Sequence, residues 1–387
     1  MSLAIIDARE WQRLFDLKTG KNVEDDQSQT RMLRRILGKH PYPGDEDIVS
    51  NRWVTDCALD LMREYEPGLA CVMYAHQYFA GRYTPTTEDQ RKLMMENLFG
   101  EIERLSTESG YTPVIVGTGD MIPLAGEIDL GKMDGLAISS HWSAHYAGLH
   151  DASARDLDYA SAHPDIERIV RRDEWIAAFP DAPCLSEERI PEYLLIAREG
   201  WSFNTTGTPM RKSLLIPGAG WQIPLSTPLG EASSLIGIRN LIDEAGGDRK
   251  IVLIIVEGAG VRDFQIPYTT CSNRTGWHYY EPGEGFYLTL STGKHQVFAY
   301  PSGYRYHDEL DAKQDFPFSG YFLDIPEHTV GSAFPGRSIA VGNHSMFVHI
   351  VFGADICVEC FARNLYNQGV FGVIHRFRSR NPMKYPG

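Results

Sequence analysis

With 387 residues, 43% of them hydrophobic, the chain can bury a large core and exceeds the size at which a single core usually keeps growing. Its 51 acidic against 37 basic residues leave a formal charge of −14, which argues against a duplex nucleic acid partner, because phosphate backbones are held by concentrated Lys and Arg. No apolar window reaches the length of a membrane span, and the opening run Leu3-Ala-Ile-Ile6 is too short for the core of a signal peptide, so a cytoplasmic protein without a membrane partner is expected.

Residues 1–49 read as an N-terminal segment, with a short strand at Leu3-Ala-Ile-Ile6, a polar stretch and a basic helix over 31–37, broken by Pro41, Pro43 and Gly44. From Ser50, a good N-cap, the positions Trp53, Val54, Cys57, Ala58, Leu61 and Met62 recur at helical spacing until Pro67. The runs at 69–74 and 113–117 are apolar strands. The helix between them is capped by Thr86 or Thr87, carries Leu93, Met94, Leu98, Ile102 and Leu105 on its apolar stripe, and ends at Gly110. Together these make a βαβ unit with parallel, neighbouring strands. His76 to Pro85 reads as a polar loop after the first strand, and Gly117-Thr-Gly-Asp120 as the loop after the second.

Further along, 136–138, 193–197 and 213–216 read as strands and 164–179 and 230–245 as helices; the apolar run 251–256 fits the same sheet. Beyond Gly258 the pattern changes to short aromatic runs separated by Gly and Pro, at 286–290, 296–300, 321–323 and 346–351, which suggests antiparallel strands. The expected fold class is α/β, a mostly parallel sheet flanked by helices with a β-rich C-terminal part. The expected divisions are 1–49, an α/β domain over 50–257, and 258–387.

Ligands of open α/β sheets collect outside the carboxyl ends of parallel strands. That places the loops 75–85 and 117–134, with the segment His141 to Asp151, at the candidate site. Asp120 suits an acid, a metal ligand or a turn cap, and Asp120, His141 and His145 are the catalytic candidates. His141, His145, His150 and Asp151 offer donors to one divalent metal ion (zinc, manganese or iron), and i to i+4 spacing would put His141 and His145 on one helical face; the bland alternative is hydrogen-bonding histidines around a packed Trp142 and Tyr146. His76 and Arg82 offer fixed donors to a substrate carboxylate or phosphate, against the alternative of solvated loop residues. Cys357-Val-Glu-Cys360 is either a lone zinc half-site or two reduced thiols. Trp277 to Tyr280, with Tyr300, Tyr304, Tyr306 and His307, line a pocket or build a core. Ser139-Ser140 beside His141 lacks a G-x-S-x-G elbow, and no complete G-x-G-x-x-G follows a strand.

Several words of the sequence follow a family order. They are Ala58-Leu59-Asp60-Leu61 and Glu66-Pro67-Gly68-Leu69, Tyr78-Phe-Ala-Gly81-Arg82-Tyr-Thr-Pro85, Thr118-Gly119-Asp120-Met121, Ile169-Val-Arg-Arg-Asp173, Tyr193 to Phe203, Gly207-Thr208-Pro209 and Leu215-Ile-Pro-Gly218-Ala-Gly220. Over about residues 50–245 this order resembles the type I phosphodiesterase/nucleotide pyrophosphatase branch of the alkaline phosphatase superfamily. The resemblance implies an α/β scaffold and, in the family, a two-metal centre that activates a Thr or Ser nucleophile. At the positions where it implies an Asp and a His, this chain has Tyr78 and Arg82; Asp120 is the one matched carboxylate of the next word, and no His follows Thr208. The reading is therefore an enzyme acting on a small anionic molecule, with hydrolase-type chemistry at a rebuilt site that is not a two-metal one. The alternative is a non-catalytic ligand-binding or assembly protein on a degenerate version of that scaffold. A homo-oligomer is left open.

Overall fold

The computed structural model describes residues 3–6, 12–16, 21–23, 28–44, 47–139, 145–179, 191–203, 213–247, 249–295, 328–343 and 352–359. In chain order, β1 (Leu3–Ile6), β2 (Arg13–Asp16) and β3 (Lys21–Asn22) precede α1 (Ser28–Lys39) and α2 (Val49–Tyr65). Then come β4 (Leu69–Tyr74), α3 (His76–Tyr83), α4 (Glu88–Ser109), β5 (Thr112–Gly117), β6 (Met121–Pro123), β7 (Gly126–Ile128), β8 (Leu136–Ser139) and β9 (Tyr146–His150). The middle of the chain supplies α5 (Ala154–Ala162), β10 (Ile166–Arg171), α6 (Arg172–Ala177), β11 (Tyr193–Ala197), β12 (Trp201–Phe203), β13 (Leu215–Pro217) and β14 (Gln222–Ser226). Last are α7 (Leu235–Ala245), β15 (Ile251–Val256), β16 (Thr269–Ser272), β17 (Arg274–Thr275), β18 (His278–Tyr279), α8 (Glu284–Thr292), β19 (Ser338–Gly342) and β20 (Ile356–Glu359).

The protein is an α/β fold on a sheet of order β16-β14-β5-β15-β4-β19-β20-β1-β2-β3. From β5 to β1 every pairing is parallel, and antiparallel strands close both edges. Side chains alternate across a strand, so each central strand feeds two cores. Leu69, Cys71 and Met73 face one side with Leu253, Ile255, Val114 and the α7 and α8 residues Ile238, Ile242, Phe286 and Tyr287. Ala70, Val72 and Tyr74 face the other, against Leu33 and Ile36 of α1, Val54 and Leu61 of α2 and Leu98 and Ile102 of α4. Burial on both faces is why β4 and β15 are apolar without alternation. After Asp120, β6 pairs with β13 and β7 with β12, and a second, antiparallel sheet, β10-β11-β9-β8, follows from Leu136.

Several expectations are corrected. Strands β4 and β5 are parallel members of one sheet but not neighbours, because β15 pairs with both. The stretch 76–85 is a helix for most of its length. Ser50 lies inside α2, not at its cap, and its hydroxyl is used by Asn343. The helix expected over 164–179 is β10 followed by the short α6; Ile166 and Val170 turn inward on an edge strand whose charged residues Glu167, Arg168 and Arg171 stay exposed. Phe286 to Leu290 is not a strand: Phe286, Tyr287 and Leu290 form one helical face buried on α7, and Gly293, at φ 65°, ends the helix in the left-handed region. Leu93, assigned to the buried stripe of α4, is 61% exposed. Strands β16, β19 and β20 belong to the same sheet as β15, so the division expected after 257 falls within it. The runs at 296–300, 321–323 and 346–351 lie outside the described residues.

Candidate active site

The carboxyl ends of β4, β15, β5 and β19 stand in register, Tyr74 beside Val256 and Val256 beside Gly117. The residues that follow them, Ala75-His76-Gln77, Glu257-Gly258, Thr118-Gly119-Asp120 and Asn343, lie along this one edge of the sheet. A buried amide network ties it together. Asn343 Oδ1 accepts from Ala75 N (2.7 Å), its Nδ2 donates to Ser50 Oγ and Asn51 Oδ1 (3.1 Å each), and Gln77 Nε2 donates to Tyr74 O (2.8 Å) and Glu257 O (2.5 Å). Such a satisfied network fixes where the loops leave the sheet.

Asp120 sits on the β5 side. Its Oδ1 accepts from Arg262 N (3.3 Å), its carbonyl accepts from Gly218 N (2.9 Å), and Arg91 and Asp263 form an ion pair beside it. Burial, and then the Asp263 carboxylate, raise the proton affinity of Asp120 above that of an ordinary carboxylate despite Arg262. Close approach is possible because position 260 is Gly: a Cβ there would stand 2.3 Å from Asp120 N.

On the β4 side, α3 begins directly after the strand and buries Tyr78 and Arg82, four residues apart on one face. Arg82 is 5% exposed; Nη1 donates to Tyr78 Oη (2.6 Å), Nε donates to Ser213 Oγ (3.1 Å), and its carbonyl accepts from Leu214 N. Burial would weaken the guanidinium's hold on its proton, but Tyr78, Tyr83 and Glu281 more than reverse this. Among the described residues no carboxylate forms an ion pair with it. Arg82 is thus not the solvated loop residue of the bland alternative. His76, also buried, opens α3 and is engaged in its own contacts.

His145, 1% exposed, precedes β9. Its Nε2 lies 2.7 Å from Pro217 O, and since a carbonyl can only accept, Nε2 carries a hydrogen. Its Nδ1 is buried without a partner among the described residues. Its backbone N donates to Glu281 Oε1 (3.2 Å), and its ring meets Tyr279 edge-on at 5.7 Å. Adjacent residues bond each of the two, Gly218 N the backbone carbonyl of Asp120 and Pro217 O the ring of His145.

The four-residue metal set does not assemble. His150 and Asp151 lie at the far end of β9 from His145, five residue steps or about 17 Å along a strand, whereas ligands of one ion converge within about 2 Å of it. The helical pairing of His141 with His145 has no support from His145, which leads into a strand, and His141 lies outside the described residues. Where the resemblance implies an Asp and a His, Tyr78 and Arg82 bond each other, and a guanidinium repels a cation. No group of three His, Cys, Asp or Glu suited to an ion occurs among the described residues. A two-metal site does not fit these side chains.

Sequence reasoning missed Glu257 and Glu281. Glu257 was findable, as the acid directly after an apolar strand; Glu281 arrives from a distant turn and left no local signal. The free cysteines Cys57 and Cys71 are buried, and burial raises both thiols far above the ordinary range, which makes them inert. Cys360, half of the C-x-x-C, lies outside the described residues. None of the described helices is long and apolar enough to cross a membrane. Comparison of the sequence with family models and with curated proteins returns no match.

Proposed function

We propose that the chain is an enzyme that takes a small anionic molecule into the crevice beyond β4, β15 and β5 and acts on it by hydrolase-type chemistry, on a scaffold akin to the alkaline phosphatase superfamily but without its two-metal centre. Arg82 carries the reading. A charge withdrawn from water costs several kcal/mol unless it is matched, yet among the described residues the hydrogen-bond partners of this guanidinium are two neutral hydroxyls, and Glu281, whose field reaches it, forms no ion pair with it. An incoming carboxylate or phosphate would pair with it directly. Asp120, with its raised proton affinity, suits a proton donor to a leaving group, and His145 stands across Pro217–Gly218 from it.

The test pairs binding with turnover. Inorganic phosphate or sulfate is expected to raise the melting temperature of the wild type and not of Arg82→Gln. On p-nitrophenyl esters of phosphate and sulfate, Arg82→Ala should raise KM more than it lowers kcat. Unchanged anion affinity in both variants overturns the reading. The depth of His145 favours a second reading, a ligand-binding or assembly protein with the same anion site and no turnover; it predicts anion binding that depends on Arg82 and no hydrolysis of any ester.

A further inference from the structure

Residues 260–268, which follow β15, form a strap against Asp120. Position 260 is Gly, where a Cβ would stand 2.5 Å from Asp120 Oδ1. Arg262 N donates to that oxygen (3.3 Å) and Arg262 Nη2 to Met121 O (2.9 Å), so the strap grips Asp120 by its side chain and the next residue by its carbonyl. Asp263 N donates back to Gly260 O (3.2 Å), which closes a turn and keeps the Asp263 carboxylate near that of Asp120.

The strap has anchors that carry no charge. Phe264, 8% exposed, meets Phe99 of α4 edge-on at 5.1 Å; Tyr268 meets Phe264 at 5.4 Å, and its hydroxyl donates to Val261 O (2.9 Å). A charged contact with α4 lies beside these. Arg91 Nη2 pairs with Asp263 Oδ2 while Nε donates to Oδ1 (3.5 Å), and the two side chains are only 17% and 14% exposed, so water screens them little.

Two carboxylates on one turn raise each other's hold on a proton, and a cation on the second one relieves the first. The charged groups that face Asp120 are Asp263 and Arg262 on the strap and Arg91 on α4; from the loop after β13, Gly218 offers its backbone N–H. The raised proton affinity of Asp120 follows this arrangement, with burial first, Asp263 next, and Arg262 and Arg91 acting in the opposite sense.

We infer that Asp263 and Arg91 are a tuning pair for Asp120: the strap presents the Asp263 carboxylate to Asp120, and Arg91 masks part of that charge from α4. Both are positioning residues, which act through Asp120 and set when it holds a proton. The inference rests on the proton-donor role proposed above, but Asp120 is titrated without any ligand, so its failure is distinct from failure of the anion site.

The test is a carbon-13 NMR titration of the full chain labelled at aspartate Cγ, with the Asp120 signal identified by its loss in Asp120→Asn. Asp263→Asn keeps the shape of the side chain, removes its charge, and should move the Asp120 midpoint to lower pH. Arg91→Gln or Arg91→Leu, whichever keeps the wild-type circular dichroism, unmasks Asp263 while Phe264 and Tyr268 hold the strap, and should move the midpoint to higher pH. Arg91→Lys, which keeps the cation, should return it toward the wild-type position. A purely structural pair gives another pattern, because either exchange would loosen the strap, admit water and move the midpoint down. Any direction other than down for Asp263→Asn and up for the uncharged Arg91 variant overturns the inference, as does an Arg91→Lys midpoint no lower than that of the uncharged variant.

Discussion

The ring of His278 provides a quantitative test of the packing around the second sheet. It lies in β18 among Tyr146 (4.7 Å between centroids), Phe179 and Tyr280 (5.1 Å each) and Trp277 (5.7 Å), with Nδ1 buried and unpartnered among the described residues. Burial first, and His295 second, hold its proton affinity down, from 6.5 to about 3. The unfolded chain therefore binds a proton at this position between about pH 6.5 and pH 3 that the folded chain refuses, so stability is complete above pH 6.5 and is lost as pH falls. At about 1.36 kcal/mol per pH unit, the loss between pH 7 and pH 5 is about 2 kcal/mol, and little of it overlaps the titration of ordinary carboxylates. His278→Phe keeps an aromatic ring in an aromatic cage and removes the proton. Equilibrium urea unfolding of both proteins at pH 7 and pH 5 is the assay. The wild type should lose about 2 kcal/mol more than the variant over that interval. Equal losses would show that the ring is not withdrawn from water, and the reasoning would fail.

Other outcomes follow from particular contacts. Asn343→Ala deletes three buried hydrogen bonds that tie β19 to α2 and β4, and should destabilise the fold by about 3 kcal/mol in the same unfolding assay. Thr87→Ala breaks the capping box with Gln90 at the start of α4 and should cost about 1 kcal/mol. Gly260→Ala forces a methyl group against the Asp120 backbone, which should destabilise by about 1–3 kcal/mol and shift the amide signals of residues 119–121. Asp120→Asn should stabilise the protein at neutral pH: a raised proton affinity makes stability fall as pH rises through the folded titration, and the amide has no such penalty.

The parts of the fold that were legible in the sequence were local. Strands β4, β5 and β15 are apolar because both their faces are covered, and α4 announced itself through Thr87, its stripe and Gly110. Their order was not legible. The insertion of β15 between β4 and β5 pairs residues more than 130 positions apart, and no local pattern encodes which parallel strand lies between two others. Conversely, β19 is five fully buried residues, Ser338-Ile-Ala-Val-Gly342, whose small members give a weak apolar signal. The aromatic run at 286–290 failed for a different reason: Phe, Tyr and Leu suit strands and buried helix faces alike, and only the helical contact with α7 decides between them.

For the site, sequence reasoning located the edge of the sheet and misjudged the environment. In the sequence Arg82 stands out by its charge alone; its burial depends on α3 standing where a loop is expected and on Ser213 arriving from 131 residues away. His145 and His150 looked like a pair because they are close in sequence, yet a strand places them about 17 Å apart, and His145 finds its relevant neighbours in Pro217 and Glu281. Spacing along a chain measures proximity only once the element is known. A carboxylate such as Glu281, which accepts from the backbone N of a histidine 136 residues earlier in the chain, is visible only in the folded chain.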